Sequence, residues 1–229
     1  LEGPIFKDKT SFLIAGRSTY SDWLLTKIPS ATLNNSEASF YDLNLAISHQ
    51  MNDKNSFYAS GYISKDAFRL NSDTIYHYAN QNASVKWKHV FGNKFYGILT
   101  GSYSGYNYDV SSDANPVTAF ELAYSVQQAN IKADFSYFLN SKHTLNFGAS
   151  TINYKLSPGD YQPKGEESLV VPDVLQKEQG QESAVYIGDN FEINPKLSIY
   201  AGLRYSLFQN LGPKDVFTNG DGPKNEKTI

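Results

Sequence analysis

Cysteine is absent from this 229-residue chain, so neither a disulfide framework nor a thiolate-bound zinc or iron–sulfur site can form. Methionine occurs once, as Met51, and charged residues make up only 19% of the chain, against roughly 25% in an ordinary soluble domain. Long apolar runs are missing too. Nothing approaches the ~18 residues of a transmembrane helix, which excludes a helical membrane protein and leaves a β-barrel open. Positive charge is not in excess: a formal net charge of −3 argues against a sequence-independent nucleic-acid binder, which needs a basic footprint to displace counterions. No charged stretch followed by an apolar one precedes Lys9, so Leu1 reads as a cut rather than a signal peptide, and the Gly-, Pro-, Asn- and Lys-rich stretch 212–229 reads the same way. What the chain does hold is rings, 17 Tyr, 14 Phe and 2 Trp.

A short turn ending in lysine recurs five times, each followed at once by a strand-like run. The copies are Lys7-Asp8-Lys9, Asn52-Asp53-Lys54, Gly92-Asn93-Lys94, Asn140-Ser141-Lys142 and Asn194-Pro195-Lys196, with lysines 45, 40, 48 and 54 residues apart. Asn, Asp, Gly and Pro close tight turns by tolerating left-handed backbone or by presetting φ, so each copy reads as a hairpin tip. Between tips the sequence alternates with period 2, the signature of a strand. The last hairpin is clearest: Leu197, Ile199, Ala201, Leu203, Tyr205 and Leu207 share one face, with Ser198, Tyr200, Gly202, Arg204 and Ser206 on the other. Its partner carries Val185, Ile187, Phe191 and Ile193, interrupted by Asp189. In the run 120–137, Leu122, Tyr124 and Val126 have the opposite parity to Ala129, Ile131, Ala133, Phe135 and Tyr137, which predicts a bulge near Gln127 and Gln128.

Nine strands are predicted, at 10–20, 39–49, 56–65, 80–90, 95–108, 120–137, 143–156, 182–193 and 197–210. Most run to ten residues or more, the length of a tilted membrane-spanning strand rather than of a soluble one. Connections alternate between tips of a few residues and long excursions at 21–38, 66–79, 109–119 and 157–181, the layout of an outer-membrane barrel. Rings cluster beside the short tips, at Phe57, Tyr58, Phe91, Phe95, Tyr96, Tyr137 and Phe138, as an aromatic girdle at one membrane interface would. The expected fold is therefore all-β: an antiparallel up-and-down meander, 1–229 forming one part of a larger transmembrane barrel. A soluble sandwich or propeller also uses hairpins and alternation, but with shorter strands and more charged polar faces.

Several stretches also carry a family resemblance. Leu1-Glu2-Gly3-Pro4-Ile5 with Ser11-Phe12-Leu13-Ile14-Ala15-Gly16-Arg17-Ser18-Thr19-Tyr20 resembles the first barrel strands of TonB-dependent receptors, particularly the group with an N-terminal carboxypeptidase-regulatory-like domain. Ser60-Gly61-Tyr62-Ile63-Ser64-Lys65-Asp66, Trp87-Lys88-His89, Glu182 to Asp189 and Ala201-Gly202-Leu203-Arg204-Tyr205-Ser206 look similar in the same way. The resemblance implies a bacterial outer-membrane location and contact with outer-membrane lipid. It further implies a plug domain and an energy-coupling box upstream of Leu1, drive from the TonB complex, a surface lipoprotein as a further partner, and uptake of a bulky solute rather than catalysis. A passive porin or adhesin-like barrel would lack the plug, and a soluble carbohydrate-binding sandwich would stay monomeric without detergent.

Chemistry-bearing motifs are sparse. G-x-S-x-G, P-loop and H-E-x-x-H signatures do not occur, and no catalytic residue, cofactor or metal site is expected. His49, His77, His89 and His143 never fall at metal-ligand spacing, and two lie beside short turns. Glu166-Glu167 reads as a solvated pair and Asn219-Gly220-Asp221-Gly222 as a plain turn rather than a calcium loop. Arg17 and Arg204 fall on polar strand faces, where they should point into the lumen toward a plug or an anionic substrate, or pair with Glu182, Glu192 or Asp134. Trp23, Tyr106, Tyr108 and Tyr161 lie in or near the predicted loops, where rings could stack on a ligand or anchor at an interface.

Overall fold

The architecture was obtained as a computed structural model, which describes residues 1–19, 23, 27–30, 36–69, 73–212, 215–216 and 227–228. Ten strands form the path of one antiparallel sheet: β1 (Glu2–Phe6), β2 (Thr10–Ser18), β3 (Glu37–Asn52), β4 (Asn55–Arg69), β5 (Thr74–Gly92), β6 (Phe95–Ser112), β7 (Phe120–Phe138), β8 (His143–Pro163), β10 (Glu178–Asn194) and β11 (Leu197–Leu211). A two-residue strand, β9 (Asp173–Val174), hangs on β8, and Asp215–Val216 pairs separately with Lys227–Thr228. Every neighbour along the path is a neighbour in sequence apart from that small detour. The five lysine-bearing turns therefore close hairpins at one end of the sheet, and the longer connections lie at the other. The turns form where expected because their asparagines act as local acceptors: Asn52, Asn140 and Asn194 each take a hydrogen bond on Oδ1 from the peptide N–H two residues on, at 3.0, 2.8 and 2.9 Å.

Pleating sorts the residues into two unlike faces. Register aligns Leu45, Gly61, Ala83, Tyr103, Ala129, Asn153, Gln181 and Gln209 in one cross-strand row, and Gly97, Phe135, Phe147, Ile187 and Leu203 in another on the same side. That side carries Ile63, Val85, Trp87, Leu99, Ile131, Val185 and Ile187, all solvent-accessible, with Leu203 at 81% exposure. The opposite side carries Asn44, Tyr62, Asn82, Ser104 and Gln128 in its own row. Ser60 and Ser84 share a hydrogen bond there at 2.8 Å, and Asn80 Nδ2 donates to Ser64 Oγ at 3.1 Å. Among the described residues the buried apolar side chains are only Val110, Ala119 and Ala184, while Thr10, Ser36, Asp42 and Ser64 are buried and polar. Such an arrangement is inverted relative to a soluble protein: a sandwich would press its apolar face against a second sheet, whereas here that face is left for lipid.

Several expectations need correction. A strand precedes the first turn, because Pro4 and Gly3 pair with Ser11 and Phe12 despite the short run, so ten strands along the path replace nine. The strands overrun their predicted ends by continuing as hydrogen-bonded ribbons: β4 reaches Arg69, β5 starts at Thr74, β6 ends at Ser112 and β8 at Pro163. The long excursions 66–79, 109–119 and 157–181 are correspondingly shorter, and 109–119 includes a short 3-10 turn at Pro116–Thr118 capped by Asn115. No irregularity occurs at Gln127 or Gln128. Instead Tyr124 faces both Pro158 and Gly159, so the extra residue lies on β8. The parity break in β7 has a different cause: Leu122, Tyr124 and Val126 belong to the polar face above the level where lipid dictates composition. Residues 219–222, and Tyr20 at the end of the predicted run 10–20, lie outside the described residues.

Candidate functional site

Three adjacent rows on the polar face, toward the long-connection end, gather a dense group of inward rings. The lowest runs Ser64, Asn80, Tyr106, Val126, Leu156 and Glu178. Above it lie Phe40, Asp66, Tyr78, Tyr108 and Tyr124, and then Ala38, Phe68, Tyr76, Val110, Leu122 and Tyr161. Ring centroids are 5.0 Å apart for Tyr78 and Tyr108, 6.5 Å for Tyr76 and Tyr108, 6.4 Å for Tyr106 and Tyr124, and 5.4 Å for Phe120 and Tyr161. The β8 bulge is what brings Tyr161 into the group: it shifts the pleat by one residue, and without it Tyr161 would face the other way.

Depth places this tyrosine shelf beyond the lipid. Tyr108 lies about 44 Å along β6 from Phe95 at ~3.4 Å per residue, which at a tilt of about 40° is about 34 Å along the barrel axis, past an apolar band ~25 Å tall. Six strands, β3 to β8, span the shelf, giving a width of about 24 Å at ~4.8 Å per strand. Tyr106, Tyr108 and Tyr161 thus stand on rigid strand ribbons rather than in loops. Trp23, in the connection after β2, is exposed and lies outside these rows.

On the same face several inward cations are matched by carboxylates, Arg17 level with the lowest shelf row and Lys132 and Arg204 below it. Arg17 pairs with Asp42 rather than with Glu182, Glu192 or Asp134, because β2 and β3 place these two residues opposite each other. Its guanidinium also lies 5.7 Å from the centre of the Phe40 ring, and the Asp42 carboxylate that it meets is buried. Arg204 meets Glu182 at 3.8 Å, as one of the expected pairings, and Tyr154 donates a hydrogen bond to the same carboxylate at 3.3 Å. Asp134 joins through a different route: it pairs with Lys132 at 3.0 Å and accepts from the Tyr186 hydroxyl, while Lys132 and Arg204 flank the Tyr186 ring at 5.6 and 5.5 Å. Tyr186, Lys132, Tyr154 and Asp42 are the members of this network that sequence reading did not single out. Their inward parity was the available signal. Glu192 is exposed opposite Ser198 and makes no ion pair among the described residues.

Among the described residues no three His, Asp or Glu side chains converge to hold a metal, and Glu166 and Glu167 are exposed. His49, His89 and His143 stand near the short turns, their Nδ1 atoms bonded to Thr10 Oγ1, Asn55 Oδ1 and Asp189 Oδ2 at 2.8, 2.7 and 2.6 Å.

Comparison with known proteins agrees with this geometry. The chain resembles the ferric preacinetobactin receptor of Acinetobacter baumannii at 13% identity and a TM-score of 0.64, covering 98% of this chain and 40% of that one. The ferric-catecholate import receptor of E. coli K12 in its open form gives 9% and 0.61, with coverage of 99% and 46%. The ferripyoverdine receptor of the Pseudomonas aeruginosa outer membrane gives 11% and 0.64, with coverage of 99% and 36%. The chain thus spans less than half the length of these structures, and at such identities the likeness is one of fold. No curated protein sequence matches it. The family model for the TonB dependent receptor-like β-barrel matches residues 15–227, nearly the whole chain, and with an apolar face turned outward and a polar face turned inward the chain belongs to that outer-membrane family.

Proposed function

We propose that this chain is barrel wall in a TonB-dependent receptor that captures a bulky solute on the tyrosine shelf and passes it inward through a plugged, energy-gated lumen. The observation that carries this reading is the shelf itself: six tyrosines on the inward face, above the lipid band, on strands whose outward face is apolar. Rings stack on flat or apolar ligand surfaces, and phenol hydroxyls donate to ligand oxygens. A surface about 24 Å wide suits a ligand much larger than a sugar or an amino acid. The similar solved receptors take ferric siderophores, which supports that class here. The ion pairs on the inward face support passage, since paired charges offer polar contacts without a deep trap for either sign. A plug and a carboxypeptidase-regulatory-like domain upstream, and a surface lipoprotein at the mouth, belong to the same proposal.

The test uses the complete receptor in cells supplied with ferric catecholate or ferric hydroxamate siderophores carrying radioactive iron. Combining Tyr78→Ala with Tyr108→Ala should weaken binding about tenfold or more by removing stacked rings, with receptor abundance unchanged. Unchanged affinity for every transported ligand would remove the shelf from recognition. Uptake that persists without TonB would favour a passive pore.

A further inference from the structure

The five short turns repeat a residue that their geometry does not use. In three of them asparagine Oδ1 accepts the peptide N–H of the lysine, a bond any residue except proline could supply. Yet Lys9, Lys54, Lys94, Lys142 and Lys196 recur at every tip, and all five are exposed. Among the described residues none of them is in an ion pair; Lys94 Nζ alone makes a hydrogen bond, to the Leu139 carbonyl at 3.4 Å. Most cations further up the sheet behave differently, although Lys65 and Lys155 are likewise exposed and in no ion pair among the described residues. Arg17, Arg69, Lys132, Lys164 and Arg204 each have a carboxylate within 4.0 Å, and Lys86 and Lys88 lie over the Tyr58 and Tyr96 rings at 5.9 and 4.9 Å. These charges find partners within the protein, and the charge at the rim is left for something outside.

The outward face identifies what lies there. Just above the turns runs a belt of rings on the lipid side: Phe57 with Trp87 at 6.3 Å, Phe91 with Phe95 at 4.8 Å, Phe135 with Phe147 at 5.4 Å and His143 with Phe191 at 4.5 Å. Aromatic belts mark the level of a membrane interface, so the lysines one step beyond it stand at headgroup depth. Neighbouring hairpins are two strands apart, about 10 Å, which is close to the screening length at physiological salt, so the charges act together rather than singly. We propose that this rim is a binding site for the phosphates of anionic phospholipids in the periplasmic leaflet. The inference rests on the membrane placement of the sheet but not on any transported ligand.

The complete receptor, reconstituted in phosphatidylcholine vesicles with and without phosphatidylglycerol, tests it through the lipids retained on the protein in native mass spectrometry. Wild type should hold phosphatidylglycerol in preference to phosphatidylcholine, less so at high salt. A variant with all five lysines changed to glutamine should lose roughly tenfold or more of that preference, and the corresponding arginine variant should keep it. Heat-modifiable mobility reports whether each variant inserts. A glutamine variant that inserts and retains the wild-type preference would overturn the proposal, as would displacement of the lipid by inorganic phosphate at equal concentration. Failure of wild type to insert at all would overturn the membrane placement and this inference with it.

Discussion

Substituting Leu203 by arginine puts the assignment of the two faces at risk directly. Leu203 lies in the outward row with Ile187, Phe147 and Phe135 and is 81% exposed. It stands about 20 Å along β11 from Leu197, which at the usual tilt is about 16 Å along the axis and near the middle of the apolar band. Arg there costs about 2 to 4 kcal/mol, a factor of roughly 30 to 700 in the folding equilibrium. Leu197→Arg at the rim of the same face should cost no more than about 1 kcal/mol, since the penalty fades toward the interface. Ser206→Arg faces inward, in the row of Ala184, Ser150 and Lys132, where the charge stays hydrated. Urea titration of the complete receptor in vesicles, read by heat-modifiable mobility, should rank Leu203→Arg as by far the least stable of the three. Equal stability of Leu203→Arg and Ser206→Arg, or the reverse order, would show that the pleat of this hairpin is shifted by one residue, because such a slip exchanges the faces completely.

Three further outcomes follow from other contacts. A Cβ at Gly148 would collide with the Ala133 carbonyl and the Tyr186 hydroxyl, whereas one at Gly101 meets nothing within 4 Å; Gly148→Ala should therefore destabilise by about 1 to 3 kcal/mol and Gly101→Ala should be near neutral in the same titration. Asp189 interrupts the outward face and is held by His143 Nδ1, so His143→Leu alone should be worse than His143→Leu combined with Asp189→Leu, because the single change strands a carboxylate in lipid. A single change that is as stable as the double would refute that coupling. Among the described residues the 229-residue chain leaves two edges unpaired, β1 and β11, and an apolar face uncovered, so by itself it should aggregate without detergent. A monodisperse, detergent-free monomer on gel filtration would contradict this.

The nine longer strands, their order and most of their facing were legible because lipid imposes the same alternation on every crossing, and because short lysine-bearing turns punctuate it. The positions of the strand ends were not. Above the lipid band both faces meet water, so β5 to β8 continue for several residues with no period-2 signal, and Leu122, Tyr124 and Val126 read as a parity error that called for a bulge. The real bulge, at Pro158-Gly159, was hidden because proline and glycine suggest a loop in a one-dimensional reading. Arg204 and Glu182 were within reach as a pair, since both are inward. Arg17 with Asp42 required the β2–β3 register, which depends on a connection through residues 19–36 that carries no alternation.

The ribbons that carry the tyrosines have a consequence for how such a receptor changes its diet. A binding surface mounted on loops can be redrawn by insertions, but one mounted on continuous strands can be redrawn only in steps of two, since every second position belongs to the outer wall. On β5, β6 and β7, residues 76, 78, 106, 108 and 124 are the inward set; positions 77, 79, 107, 109 and 125 between them face the other way, and a single insertion in one strand would turn the residues beyond it outward, as the β8 bulge turns Tyr161 inward. Selection for a new ligand should therefore accumulate point substitutions at alternating sites on β5, β6 and β7, spaced like the teeth of a comb, while the connections beyond them drift in length without moving the comb itself.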